Sequence, residues 1–261
     1  MPSTSGPSGG ASGSPLDLRL DELRVSDNIV FTRFRGDFSL SGGLNGRFTA
    51  GINGGSDVQG TVIPSRYGTA VRLQSDNAGA TLAAAKIFAS ARNGTLDLSL
   101  TPRATSGTYD GVVKLTNIRV RNTSILADLL NAISVIGLLE QLQGGGLVFS
   151  DAEAEFLLTP NAVEVRRGSA IGASLGISMA GVYQSGTEEL KMQGVISPIY
   201  LLNGLGSVFT RRGEGLFGFN YTLRGTATDP SVGVNPLSII TPGMFRDLFR
   251  SPPPVLKDGG G

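Results

Sequence analysis

Three carboxylates alternate along one short segment, Asp151, Glu153 and Glu155. A spacing of two puts them on one face of a strand. There they could hold a hard cation or work as an acid pair. The plainer reading is a solvated outer face paired with a basic strand, such as the one carrying Arg119 and Arg121. Gly213-Glu214-Gly215-Leu216-Phe217-Gly218 spells GxGxxG. That fingerprint binds a pyrophosphate only when a helix opens within it. An alternating strand pattern, Phe217 to Leu223, follows instead. Gly172-Ala173-Ser174-Leu175-Gly176 spells the GxSxG nucleophile elbow. An elbow needs a sharp strand-to-helix turn and a base. This serine falls inside the alternating run 170–183, which reads as one strand.

The chain contains no His, no Cys and no Trp. A Ser-His-Asp triad, a cysteine nucleophile, a disulfide and a Cys-based zinc site are therefore excluded. The sequence calls for no enzyme, no cofactor and no metal. Asn93-Gly94-Thr95, Asn122-Thr123-Ser124 and Asn220-Tyr221-Thr222 fit the glycosylation pattern, but they read as turn and cap chemistry.

The elements that would position such groups follow from composition and period. The 261 residues include 38 glycines, and only 16% are charged, below the usual ~25%. Net charge is +1, with basic residues scattered singly or in pairs. A nucleic-acid reader would show a basic stripe instead, so no nucleic-acid partner is expected. Residues 1–15 are Ser/Gly/Pro-rich and read as a flexible linker, a sign that the chain continues something longer. Residues 16–250 read as one domain, and 251–261 as a disordered tail. The linker has no apolar run, so it is not a signal peptide. The uncharged stretch Met192 to Thr210 is broken by Pro198 and glycines, and a membrane span needs about 20 apolar residues.

The dominant period is two. Leu16, Leu18 and Leu20 alternate with Asp17, Arg19 and Asp21; Leu96, Leu98 and Leu100 alternate with Asp97 and Ser99. Ile171, Leu175, Ile177, Met179 and Tyr183 share a parity. Such runs, separated by Asn-Gly and Ser-Gly turns, predict about a dozen antiparallel strands with one apolar face. Three amphipathic helices interrupt them: Asn77 to Ala89, Thr123 to Leu142, and Ser197 to Phe209 with Pro198 at its first position. Each follows a strand directly, which reads as a degenerate repeat of hairpin, long strand and helix. Toward the end, Phe217 to Leu223 should be a strand. Val232 to Val234 should add to it after the Asp229-Pro230 turn, and Met244 to Phe249 should form a short helix beyond Pro236 and Pro242.

Several segments together resemble the AsmA-like C-terminal region that ends the large YhdP/TamB-class envelope proteins of diderm bacteria. They are Ser75 to Leu82, Gly194 to Asn203, Gly213 to Gly225, and the run from Asp229-Pro230 through Asn235-Pro236 to Thr241-Pro242-Gly243-Met244-Phe245-Arg246. The resemblance covers most of 16–250 and is strongest from 188 onward. It implies a mostly β fold: an elongated, curved antiparallel sheet, taco-like, with an apolar groove inside and about three amphipathic helices. It implies a periplasmic segment of an inner-membrane-anchored protein, the anchor lying outside this chain. The activity implied is passive movement of phospholipid between inner and outer membranes, with acyl chains as the partner. The alternative is a structural or interaction module of outer-membrane biogenesis that docks on a partner or on the membrane and carries no lipid; contact with a membrane would come through the missing N-terminal anchor or through terminal docking. Under this resemblance the groove lining would be Leu96, Leu98, Leu100, Ile171, Leu175, Ile177, Met179, Leu190 and Met192. The family supplies no catalytic residues.

Overall fold

Alternation becomes strand almost wherever it occurs, because a period-two apolar pattern buries one side of a pleated chain and wets the other. The structure, a computed structural model, describes residues 15–198 and 218–235. An antiparallel meander starts with β1 (Pro15–Arg24), β2 (Val30–Ser39), β3 (Asn45–Ile52), β4 (Asp57–Ser65) and β5 (Gly68–Ser75). Helix α1 (Ala78–Ala84) and the short β6 (Ala91–Arg92) intervene before β7 (Thr95–Pro102) and β8 (Tyr109–Val120). Helices α2 (Ser124–Ala132) and α3 (Ile136–Gln143) then precede β9 (Leu147–Leu158), β10 (Ala162–Gly172), β11 (Leu175–Gln184) and β12 (Glu189–Pro198). The meander ends with β13 (Phe219–Thr226) and β14 (Pro230–Asn235).

All fourteen strands belong to one open, curved sheet in sequence order, except that β6 sits beside β8. The fold is therefore mostly β, an elongated antiparallel sheet of groove-like form. The expected C-terminal hairpin is present, with Leu223 opposite Val232 and Gly225 opposite Pro230.

Each helix departs from the sequence reading for a local reason. Helix α1 begins where expected, with the Asn77 side chain accepting from the Ala80 N–H at 3.0 Å. It ends early at Lys86, which takes φ 58°. The Lys86 N–H bonds the Ala83 carbonyl and the Ile87 N–H bonds that of Leu82, a closure that reverses the chain. The stretch 123–142, expected as one helix, is two. Ser134 (φ 59°) ends α2 by the same closure, to Asn131 and Leu130. The break lets Val135, Leu138 and Leu142 bury while Ile136 is left 69% exposed. The third helix is corrected at its start: Ser197 and Pro198 continue β12, opposite Gly176 and Leu175. Residues 199–209, the Met244–Phe249 helix, most of the linker and the tail lie outside the described residues. Pro15, assigned to the linker, is the first residue of β1.

Two apolar clusters hold the sheet. In the first part, Phe31, Phe34, Phe38 and Phe48 are all buried, with ring centroids 5.0–6.4 Å apart. In the second, α2 and α3 pack over the ends of β8, β9, β11, β12 and β13 through Leu126, Leu130, Leu138 and Leu142. Helix α2 leaves β8 yet packs against β14, so the sheet bends around the helix pair.

Close strand contact restricts some glycines more than others. A Cβ at Gly194 would lie 1.8 Å from the Ser178 carbonyl oxygen, whereas one at exposed Gly137 in α3 meets nothing within 4 Å. In urea unfolding, Gly194→Ala should therefore lose about 1–3 kcal/mol or more. Gly137→Ala should gain up to about 1 kcal/mol from helix propensity.

Candidate functional site

Residues directly opposite in neighbouring strands point to the same side of a sheet, so the register defines two faces. On one, Leu16 and Leu18 stand opposite Phe38 and Gly36, which lie opposite Gly46 and Phe48. The row passes through Gly60 to Leu73, then to Leu98. Leu98 faces Val113, Val113 faces Ala154, and Ala154 faces Gly168. Gly168 faces Met179, Met179 faces Gly194, Gly194 faces Tyr221, and Tyr221 faces Val234. The thirteen strands of the main path thus share an unbroken apolar or glycine face. The opposite face carries Asp17, Arg35, Arg72, Asp97, Lys114, Glu153 and Lys191.

The apolar face is not uniformly covered. The phenylalanine cluster fills it in the first strands, and α2 and α3 cover it along one rim. Between these two, toward the other rim, its side chains belong to neither cluster. Leu100, Val113, Phe156, Val165, Met179 and Leu190 are half-buried there. Among the described residues no second sheet lies over them. Glycine lets aromatic rings lie flat on this floor: a Cβ at Gly111 would fall 2.2 Å from the Phe156 ring.

The sequence-derived lining residues separate accordingly. Leu98, Leu100, Ile177, Met179 and Leu190 are on the apolar face and half-buried, Leu98 and Ile177 against the helix-covered cluster and the other three outside both clusters. Leu96, Leu175 and Met192 share that face but are buried at 7%, 1% and 8% exposure, Leu96 and Leu175 beneath the helices. Ile171 is a correction. It stands opposite Gly176 and Asp151 and projects from the polar face, 38% exposed. The run 170–183 is not one strand but a tight hairpin turning at Ala173-Ser174, between β10 and β11. The turn reverses parity, so Ala170, not Ile171, joins Ile177 on the apolar face.

Sequence reading missed Val113, Ala154, Phe156 and Val165, which join β7 to β11 across the face. Their signal was present: Ala152, Ala154 and Phe156 alternate with the three carboxylates. Those carboxylates do lie on the outer face, but their basic neighbours differ from expectation. Lys114 stands opposite Glu153, and Arg167 approaches Glu155 at 3.9 Å. Arg119 and Arg121 instead donate to the Gly145 and Gly144 carbonyls. Among the described residues no three acidic groups come close enough to share a metal ion.

Tyr221 marks the boundary between covered and uncovered floor. Its ring crosses above Gly194, and its hydroxyl donates to the Ser178 carbonyl at 2.9 Å, two strands away. Burial pushes its ionisation above the ordinary tyrosine range.

Compared with known proteins, the chain matches no family model, no curated protein and no solved structure.

A phenol that ionises less readily when folded favours the native state below pH 10 and stops doing so as pH rises beyond the unfolded value. Denaturant melts of the native chain should lose stability above about pH 10 more steeply than those of Tyr221→Phe. At neutral pH that variant should cost about 1 kcal/mol for the lost hydrogen bond.

Proposed function

We propose that the chain carries phospholipid acyl chains along its uncovered apolar face, as a periplasmic segment of an AsmA-like protein of a diderm bacterial envelope. The observation that carries this reading is the unbroken apolar row across thirteen strands, with no second layer over its middle among the described residues. Moving a two-tailed lipid through water costs on the order of 20 kcal/mol or more, at ~0.8 kcal/mol per methylene. A trough that keeps aliphatic tails against Leu100, Val113, Phe156 and Met179 removes most of that cost while head groups stay in water. Such transfer is passive and needs no reacting group or cofactor. At about 4.8 Å per strand the row extends on the order of 60 Å along the sheet.

A second reading is a structural or interaction module that carries no lipid. It is favoured by the stacked rings of Phe31, Phe34, Phe38 and Phe48, which fill the face across the first strands.

Native mass spectrometry of the purified chain, followed by lipid extraction, separates the two. The transport reading expects phospholipid near one per chain; a lipid-free protein favours the second. Met179→Asp sharpens the comparison, because Met179 is half-buried on the apolar face and belongs to neither cluster, whereas Ile177 of the same strand packs against the helix-covered one. The carboxylate can remain hydrated there, so the variant should fold with a loss of about 1–2 kcal/mol in a thermal melt. Its lipid occupancy should drop sharply, because a charge now interrupts the apolar path. Undiminished lipid in a folded variant would remove this strand from the path.

A further inference from the structure

We infer that the rim carrying the helices docks on an anionic bilayer, through Arg92, Arg119 and Arg121 together with the protruding side chains of Ile87 and Ile136 at the same end of the sheet. In the β6–β8 register Arg92 stands directly opposite Arg119. Like charges so placed destabilise a sheet. Among the described residues, neither arginine has a carboxylate within 4 Å, and nor does Arg121. Each is fixed instead by backbone carbonyls. Arg92 donates to Ala89 and Ala91 at 2.6 and 2.7 Å. Arg119 and Arg121 each donate at 2.7 Å to the adjacent carbonyls of Gly145 and Gly144. A guanidinium has five N–H donors, so these contacts hold each fork in place and leave donors for another acceptor. Pre-positioned forks without an acid match the oxygens of a phosphodiester.

The apolar observation is independent of the charge. Ile87 and Ile136 are the two most exposed large hydrophobic side chains among the described residues, at 71% and 69%. After a helix closed as α1 is, the residue in the position of Ile87 commonly packs back on the last turn. Val135 does so at the end of α2, where it is buried. Ile87 does not, although Lys86 holds a left-handed conformation to place it. The surface is not uniformly basic, for Asp76, Asp128 and Glu140 are exposed at the same end of the sheet. On the opposite rim Arg103 and Arg166 share Asp110 and Lys191 is paired with Glu189, whereas Arg66 has no carboxylate within 4 Å among the described residues and lies single over the Tyr67 ring, with no second arginine opposite it. Protruding aliphatic side chains and cations without a carboxylate partner, on one rim, complement the head-group layer of an anionic membrane.

The test is co-sedimentation of the full chain with vesicles of phosphatidylcholine, with or without phosphatidylglycerol. Binding should require phosphatidylglycerol and weaken as salt rises. At about fivefold per cation, combining Arg92→Gln, Arg119→Gln and Arg121→Gln should weaken it more than tenfold. Ile87→Ser with Ile136→Ser changes only exposed positions and should also weaken it, which keeps the proposal testable if the arginine variant melts early. Arg103→Gln, on the far rim, should bind as the native chain does. Undiminished binding by either rim variant would overturn the proposal. So would release by inorganic phosphate beyond that caused by chloride at equal ionic strength, which would assign the arginines to free phosphate. Lipid extracted from the same preparations keeps this result separate from the transport reading: rim variants should retain the native lipid content even where vesicle binding is lost.

Discussion

A sheet with one apolar face must cover that face, and among the described residues no second sheet does so. Thirteen neighbouring strands present apolar or glycine positions on one side, and an ordinary domain would close that side with another layer. This chain closes it piecemeal. Aromatic side chains lie down over glycines, Phe48 above Gly60 and Tyr221 above Gly194, so each ring shields floor that a neighbour leaves bare. Helices α2 and α3 cover one rim. What remains is the half-buried strip through β7 to β12, and the functional reading rests on that remainder.

The irregular backbone positions serve the same requirement. Arg33 takes φ 51° where the β2–β3 register shifts. The extra residue brings Phe31 and Phe34 to one side although three positions separate them, and so allows the four-ring cluster. Ser134 and Lys86 end helices in a conformation that glycine adopts more cheaply. At Ser134 the chain reverses so that α3 can continue burying the rim.

Much of the fold was legible because alternation is a local signal: Asp97 and Ser99 between leucines already state which way β7 faces. The apolar face as a whole was legible only in part. Parity can be followed along a strand, but not through a turn that carries no turn-forming pair at its centre. Ala173-Ser174 is such a turn, and it put Ile171 on the wrong side. The gap between Phe31 and Phe34 hides a bulge in the same way. The break at Ser134 lacked the glycine that usually announces a helix end. Pro198 was read as a helix start because proline suits that position, yet here it ends a strand. Coverage was not legible at all, since whether Leu175 is buried or lines a trough depends on helices contributed from between β8 and β9.

Strict sequential order also governs how this molecule can vary in length. Every strand on the main path pairs with its neighbours along that path, and among the described strands only the short β6 departs from it. Inserting or deleting one hairpin would widen or narrow the sheet by two strand spacings, close to 10 Å. It would restore the strand direction, keep each rim on its own side and preserve the facing of all other side chains. A single added strand would do none of these things. Lineages built on this plan can therefore change their span in hairpin quanta by duplication, with mismatch confined to the two new seams.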